Sequence, residues 1–183
     1  MILLLLNGGT FAITGRISMY ITKFKEFSKQ CSKQLPGEID KILNTAKGEK
    51  ACAIGFITTD DFYGIHLTWA CNGSIDEYYD WENGLEPEFL YQPLVDIVET
   101  SVDIDFCNPC DEKWRFAQTL LMVLGKNIKR IPDEIFEKNN FRREDILFFA
   151  TMGDGDYIQE MIDTSVKMFN SPETLDRVQL WKR

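Results

Sequence analysis

The stretch from Ala51 to Glu112 contains no lysine and no arginine. Phosphate contacts need those cations, so this third of the chain is unsuited to nucleic acid. The net charge of −9 extends that exclusion to the whole. Histidine is almost absent: His66 stands alone, which removes most histidine-based acid–base and nucleophilic catalysis. No apolar run approaches membrane-spanning length. Met1–Leu6 is apolar but breaks at Asn7-Gly8-Gly9 with no basic residue ahead of it, so neither a secretory leader nor a membrane span is expected. Glycine-rich phosphate cradles and nucleophile elbows are missing, and Gly153 and Gly155 lack the spacing of a dinucleotide fingerprint. The five cysteines, at 31, 52, 71, 107 and 110, are an odd number without a leader. That pattern predicts reduced thiols in a cytoplasm.

What fills the cation-free stretch is acid. It holds fourteen Asp and Glu residues, against four in residues 1–50 and eleven in 113–183, where basic residues number eight and twelve. The excess negative charge therefore sits in the middle of the chain. Ten aromatic residues share the stretch, and Tyr78, Tyr79 and Trp81 lie directly among Asp76, Glu77, Asp80 and Glu82. Segregated charge sets up a field that steers cations and basic proteins, and aromatics supply interface anchors. Two readings remain open: a solvated surface, or a partner-binding face made of Asp60, Asp61, Asp76, Glu77, Tyr78, Tyr79, Asp80, Trp81 and Glu82. On the second reading the partner is a basic protein, with no nucleic acid, membrane, cofactor or metal involved. Nothing singles out two of the fourteen acids as a hydrolytic pair.

At 183 residues the chain suits one domain that buries most of its unfolded surface. Residues 1–18 read as an N-terminal extension or an edge strand, and 19–183 as a single α+β domain. Tyr20, Phe24, Phe27, Cys31 and Leu35 recur at helical spacing. Pro36-Gly37 is expected to break that helix, and Ile39, Ile42, Leu43 and Ala46 to form a second that Gly48 closes. The period then changes to that of strands. Residues 52–59 and 64–70, separated by a polar turn at Asp60-Asp61-Phe62-Tyr63, predict a central β-hairpin. Ser74 is expected to cap a short helix over Asp76–Trp81, and Pro87 to start one running towards Thr100. Asn108-Pro109 should open a helix whose core stripe is Trp114, Ala117, Leu121 and Leu124. Pro132 restarts a short helix, residues 146–152 form a buried strand, and Ile158 to Phe169 form a last helix. The predicted class is α+β, with a mostly antiparallel sheet packed by N-terminal, middle and C-terminal helices.

Three local motifs carry alternative chemistry. Cys107-Asn108-Pro109-Cys110 at a helix N-terminus has the form that lowers a thiol pKa, so a thiol/disulfide redox or metal-binding role for Cys107 and Cys110 is the alternative function. The surroundings of a thioredoxin fold are missing, because the stretch after Pro132 is helical and charged. His66, Cys71, Cys107 and Cys110 could be drawn together as zinc ligands, yet only one Cys-x-x-Cys pair exists. Asp154-Gly155-Asp156 resembles the start of a calcium loop without its closing Glu. A strand-to-helix turn capped by Asp156 accounts for it.

The strand Ala53–Thr58, the acidic turn Thr59-Asp60-Asp61 and the second strand to Trp69-Ala70 appear in a telling order. They are followed by Tyr79-Asp80-Trp81-Glu82, the helix around Trp114–Leu124, the late strand Ile146–Ala150, and a last helix ending Ser165-Val166-Lys167-Met168-Phe169-Asn170. In that order they resemble the bacterial domain-of-unknown-function family 4303, over roughly residues 36–172. The N-terminus and the Cys107–Cys110 motif depart from it. The resemblance implies an immunity-type protein that neutralises a cognate toxin by binding it, and no catalytic residues to carry over.

Overall fold

A computed structural model describes residues 10–72 and 74–178, with side chains from Lys23 onward. The first helix, α1 (Thr10–Thr45), is one continuous element with Pro36 inside it. The break expected at Pro36-Gly37 does not occur. Phe24, Phe27, Cys31, Leu35, Ile39, Ile42, Leu43 and Ala46 are all buried and keep helical spacing straight through the proline. Packing of that uninterrupted stripe outweighs the one backbone hydrogen bond that Pro36 removes. Residues 1–9 lie outside the described residues, and residues 10–18 are helix rather than an edge strand.

Four strands follow: β1 (Cys52–Thr58), β2 (Ile65–Ala70), β3 (Asn83–Leu85) and β4 (Ile146–Met152). They form one sheet in the order β3-β2-β1-β4. β1 pairs antiparallel with β2, Ile54 opposite Trp69, and parallel with β4, Gly55 opposite Phe149. The sheet is therefore mixed, not mostly antiparallel. Between β2 and β4 the chain runs through α2 (Glu88–Glu99), α3 (Asp111–Ile128) and α4 (Asp133–Glu137). That long return brings β4 alongside β1 in the same direction. All seven residues of β1 and all seven of β4 are buried, as strands covered on both faces must be.

The alternation of side chains divides the core in two. Cys52, Ile54, Phe56, Phe148 and Ala150 face the larger cluster, built with α1, α2 and α3. Ala53, Ile57, Leu147 and Phe149 face the smaller, closed by Ile75 and Tyr78 and by Ile162 and Val166 of α5 (Ile158–Phe169). A further short helix, α6 (Pro172–Arg177), was not expected; Ser171 caps it, its side chain accepting from the Thr174 N–H at 3.1 Å. Among the described residues no helix is long and apolar enough to cross a membrane.

The cysteines divide into three groups. Cys52 and Cys71, at facing strand ends, are disulfide-bonded, which corrects the reading of five reduced thiols. Cys31 is free and buried in the α1 stripe, its thiol pushed up to about 12 by burial. Cys107 and Cys110 are free and reach the surface to different degrees.

Candidate functional site

The β1–β2 loop, residues 59–64, is not the simple polar turn its composition suggests. Phe62 takes a left-handed backbone conformation at φ 62°, one a bulky residue avoids. Its ring is fully buried, edge-on to Phe106 and Phe116. That aromatic anchor holds the loop against α3. The Thr59 hydroxyl donates to Asp61 Oδ1 at 2.6 Å and accepts from the Tyr63 N–H at 2.8 Å, which tightens the turn around it.

Pinning the loop aims Asp60 inward. Its Oδ1 accepts from Lys113 Nζ at 2.8 Å, and the Lys113 side chain is wholly buried. Asp60 also packs on Gly155, where an added Cβ would fall 1.9 Å from Asp60 Oδ1. The Asp60 N–H donates to Asp154 Oδ1 at 3.3 Å. The loops at the carboxyl ends of β1 and β4, neighbours in the parallel pair, are thus latched by one hydrogen bond and one glycine, while the ion pair ties the β1 loop to α3. The Tyr157 ring lies 5.9 Å from Lys113 Nζ, and its hydroxyl donates to the Cys110 carbonyl at 3.1 Å. Asp60 is consequently neutralised within the fold rather than displayed.

The second acidic segment is a 3-10 helix, Ile75–Asp80, whose N-cap Ser74 accepts from the Asp76 N–H. It turns Ile75 and Tyr78 into the smaller core and leaves Asp76, Glu77, Tyr79, Asp80 and, just beyond, Glu82 exposed. Tyr78 donates to the Met152 carbonyl at 2.5 Å and packs edge-on to Phe149 and Tyr79. Burial raises its phenol above the ordinary range. Trp81, half-buried, also packs on Phe149. Tyr78 and Trp81 are therefore supports, while Tyr79, 69% exposed, is the one exposed ring of the three. The two segments meet at the Asp154 loop, which holds Asp60 by hydrogen bond and adds negative charge next to Tyr78. Asp61 is half-exposed beside this junction. Of the nine expected residues, Asp76, Glu77, Tyr79, Asp80 and Glu82 make one outward cluster; Asp60, Tyr78 and Trp81 face inward.

Lys113 and Tyr157 were missed by the sequence reading, in which Asp154 is only part of a strand-to-helix turn. Lys113 had a signal, as the first cation after fourteen acids. Asp156 does not cap α5: Tyr157 holds that position, without a side-chain bond. Nor does Asn108 cap α3. Cys110 does, its Sγ accepting from the Lys113 N–H at 3.4 Å. The Cys107 N–H donates to Asp105 Oδ1, and hydrogen bonds from Asn108 and from that amide hold the Asp105 carboxyl below its ordinary range. The zinc set drawn from sequence is dispersed, since Cys71 is disulfide-bonded and His66 lies on β2 beside Glu86. Among the described residues no group of three or more His, Cys, Asp or Glu side chains is placed to hold a metal. Comparison with protein-family models, curated proteins and solved structures finds no match to this chain.

Proposed function

We propose that this protein works by binding, not by catalysis, and that it engages a basic protein partner through the acidic surface of its middle third, in the manner of an immunity protein against a cognate toxin. One observation carries the reading: eleven of the fourteen acids between Ala51 and Glu112 are exposed, and Lys113, the first cation after them, is buried. Among the described residues Glu77, Asp80 and Glu82 are exposed without a lysine or arginine ion pair, so their field projects into solvent. Tyr79 provides an anchor, and the surrounding carboxylates raise the association rate and set specificity. The likeness to family 4303 belongs to the same proposal. The test is capture of partners from native-host extract at low and high salt, comparing wild type with a variant carrying Asp76, Glu77, Asp80 and Glu82 all changed to Lys. A salt-sensitive basic partner lost by the folded variant is the expected result. Unchanged capture and unchanged salt sensitivity would refute the reading.

A second reading, thiol chemistry at Cys107 and Cys110, draws on their free state and on Cys110 at the start of α3. Alkylation of both thiols at pH 6 as fast as at pH 8 would favour it, since an ordinary thiol is mostly protonated at either pH and reacts faster at the higher.

A further inference from the structure

A pocket of about 330 Å³ opens between β2 and α2, lined by Thr59, Tyr63, Gly64, Ile65, His66, Glu86 and Tyr91. Its walls are two tyrosine rings that remain partly in solvent, Tyr63 at 41% and Tyr91 at 45% exposure. The Tyr91 ring lies flush on Gly64: a Cβ there would fall 2.1 Å from the ring, and the φ of +87° is one only glycine adopts without strain. The same loop that buries Phe62 thus fixes Tyr63 and seats Tyr91. Glu86 supplies the pocket's carboxylate and has no cation paired with it among the described residues. Thr59, another lining residue, donates its hydroxyl to Asp61. Burial holds the His66 imidazole below its ordinary value, with Glu86 pulling the other way.

Two other pockets of similar volume make the contrast. One is lined by Lys129 and Arg143, the other by Lys41, Lys47 and Lys138. The tyrosine pocket alone of these three has an acid and no lysine or arginine in its wall. Aromatic faces with an adjacent carboxylate select organic cations, and a planar guanidinium both stacks on rings and matches a carboxylate with two parallel hydrogen bonds.

We infer that this pocket receives one arginine side chain of the basic partner, held between Tyr63 and Tyr91 and paired with Glu86. This rests on the binding reading above and names the chemistry of its anchor. The experiment is an NMR titration of the full chain with the peptide acetyl-Gly-Arg-Gly-amide, its citrulline counterpart, its lysine counterpart and free L-arginine. Saturable shifts at the Gly64 and His66 amides are expected with the arginine peptide and not with citrulline, which keeps the shape and loses the charge. The lysine peptide and free arginine, whose own carboxylate meets the acidic rim, are expected to bind more weakly. Glu86→Gln, at an exposed position, and Tyr91→Leu should each weaken the arginine peptide about two- to fivefold. Absence of a saturable shift, or equal response to citrulline, overturns the proposal. So does tighter binding of the lysine peptide or of free arginine, or an unchanged affinity in folded Glu86→Gln. If the arginine peptide binds yet no basic partner is captured, the parent reading fails and the pocket stands. If capture succeeds while the titration fails, the pocket alone falls.

Discussion

At the scale of single residues, the Asp60–Lys113 pair decides more than any exposed acid. A lysine with no exposed side chain tolerates its charge only through its partner, and Asp60 Oδ1 at 2.8 Å is that partner. Removing one member of a buried pair leaves a charge stranded, whereas removing both leaves apolar atoms to pack. Asp60→Ala is therefore expected to lower stability by about 3 kcal/mol, read as the midpoint shift in urea unfolding. Asp60→Leu combined with Lys113→Met should recover most of that loss. A double variant as unstable as Asp60→Ala would show that the carboxylate acts through its Asp154 and Gly155 contacts instead. None of this was visible in the residue string. The acid and the lysine are separated by 53 positions, and their meeting depends on Phe62, which sits inside a run of polar turn residues and is the loop's buried anchor.

At the scale of elements, much was legible because period and burial coincide. The two apolar runs at 52–58 and 146–152 are strands, and Ser74, Pro87 and Pro132 stand at or next to the helix starts expected of them. Two features were not legible. Local propensity put a break at Pro36, while the stripe from Phe24 to Ala46 obeys a tertiary demand that propensity does not record. Strand direction was also hidden, since an apolar run reads the same parallel or antiparallel; the clue was that all of β4 is apolar, save Thr151, on both faces. The β1–β4 contact makes its own prediction. Gly55 lies opposite Phe149 in register, and a methyl group there would come within 2.6 Å of the ring. Phe149 is held edge-on by Tyr78 and Trp81, so it has little room to withdraw. Gly55→Ala should cost about 1–3 kcal/mol through overpacking, measured by chemical denaturation. An unchanged or raised midpoint would mean that the ring moves freely and that the smaller core is looser than its contacts imply.

At the scale of the whole molecule, the distribution of charge has a consequence for stability as well as for binding. Exposed carboxylates close to one another repel, and dissolved salt screens that repulsion with a range of about 10 Å at 0.1 M. The Asp60–Lys113 pair is largely out of reach of such screening because Lys113 is buried. The remaining ion pairs, such as Lys138–Asp40 at 2.8 Å, are partly exposed and contribute little each. The two salt effects oppose one another, and repulsion among eleven exposed acids outnumbers the attraction that screening would weaken. The melting temperature should therefore rise with added sodium chloride between about 0.02 and 0.5 M. A gain of about 1 kcal/mol corresponds to about 2–4 °C for a domain of this size. Changing Glu77, Asp80 and Glu82 to their amides should raise the melting temperature at low salt and shrink the salt response, since those exposed carboxylates sit within a few residues of one another. A melting temperature that falls with salt would show that paired charges dominate the surface, and the outward field on which the binding proposal depends would lose its basis.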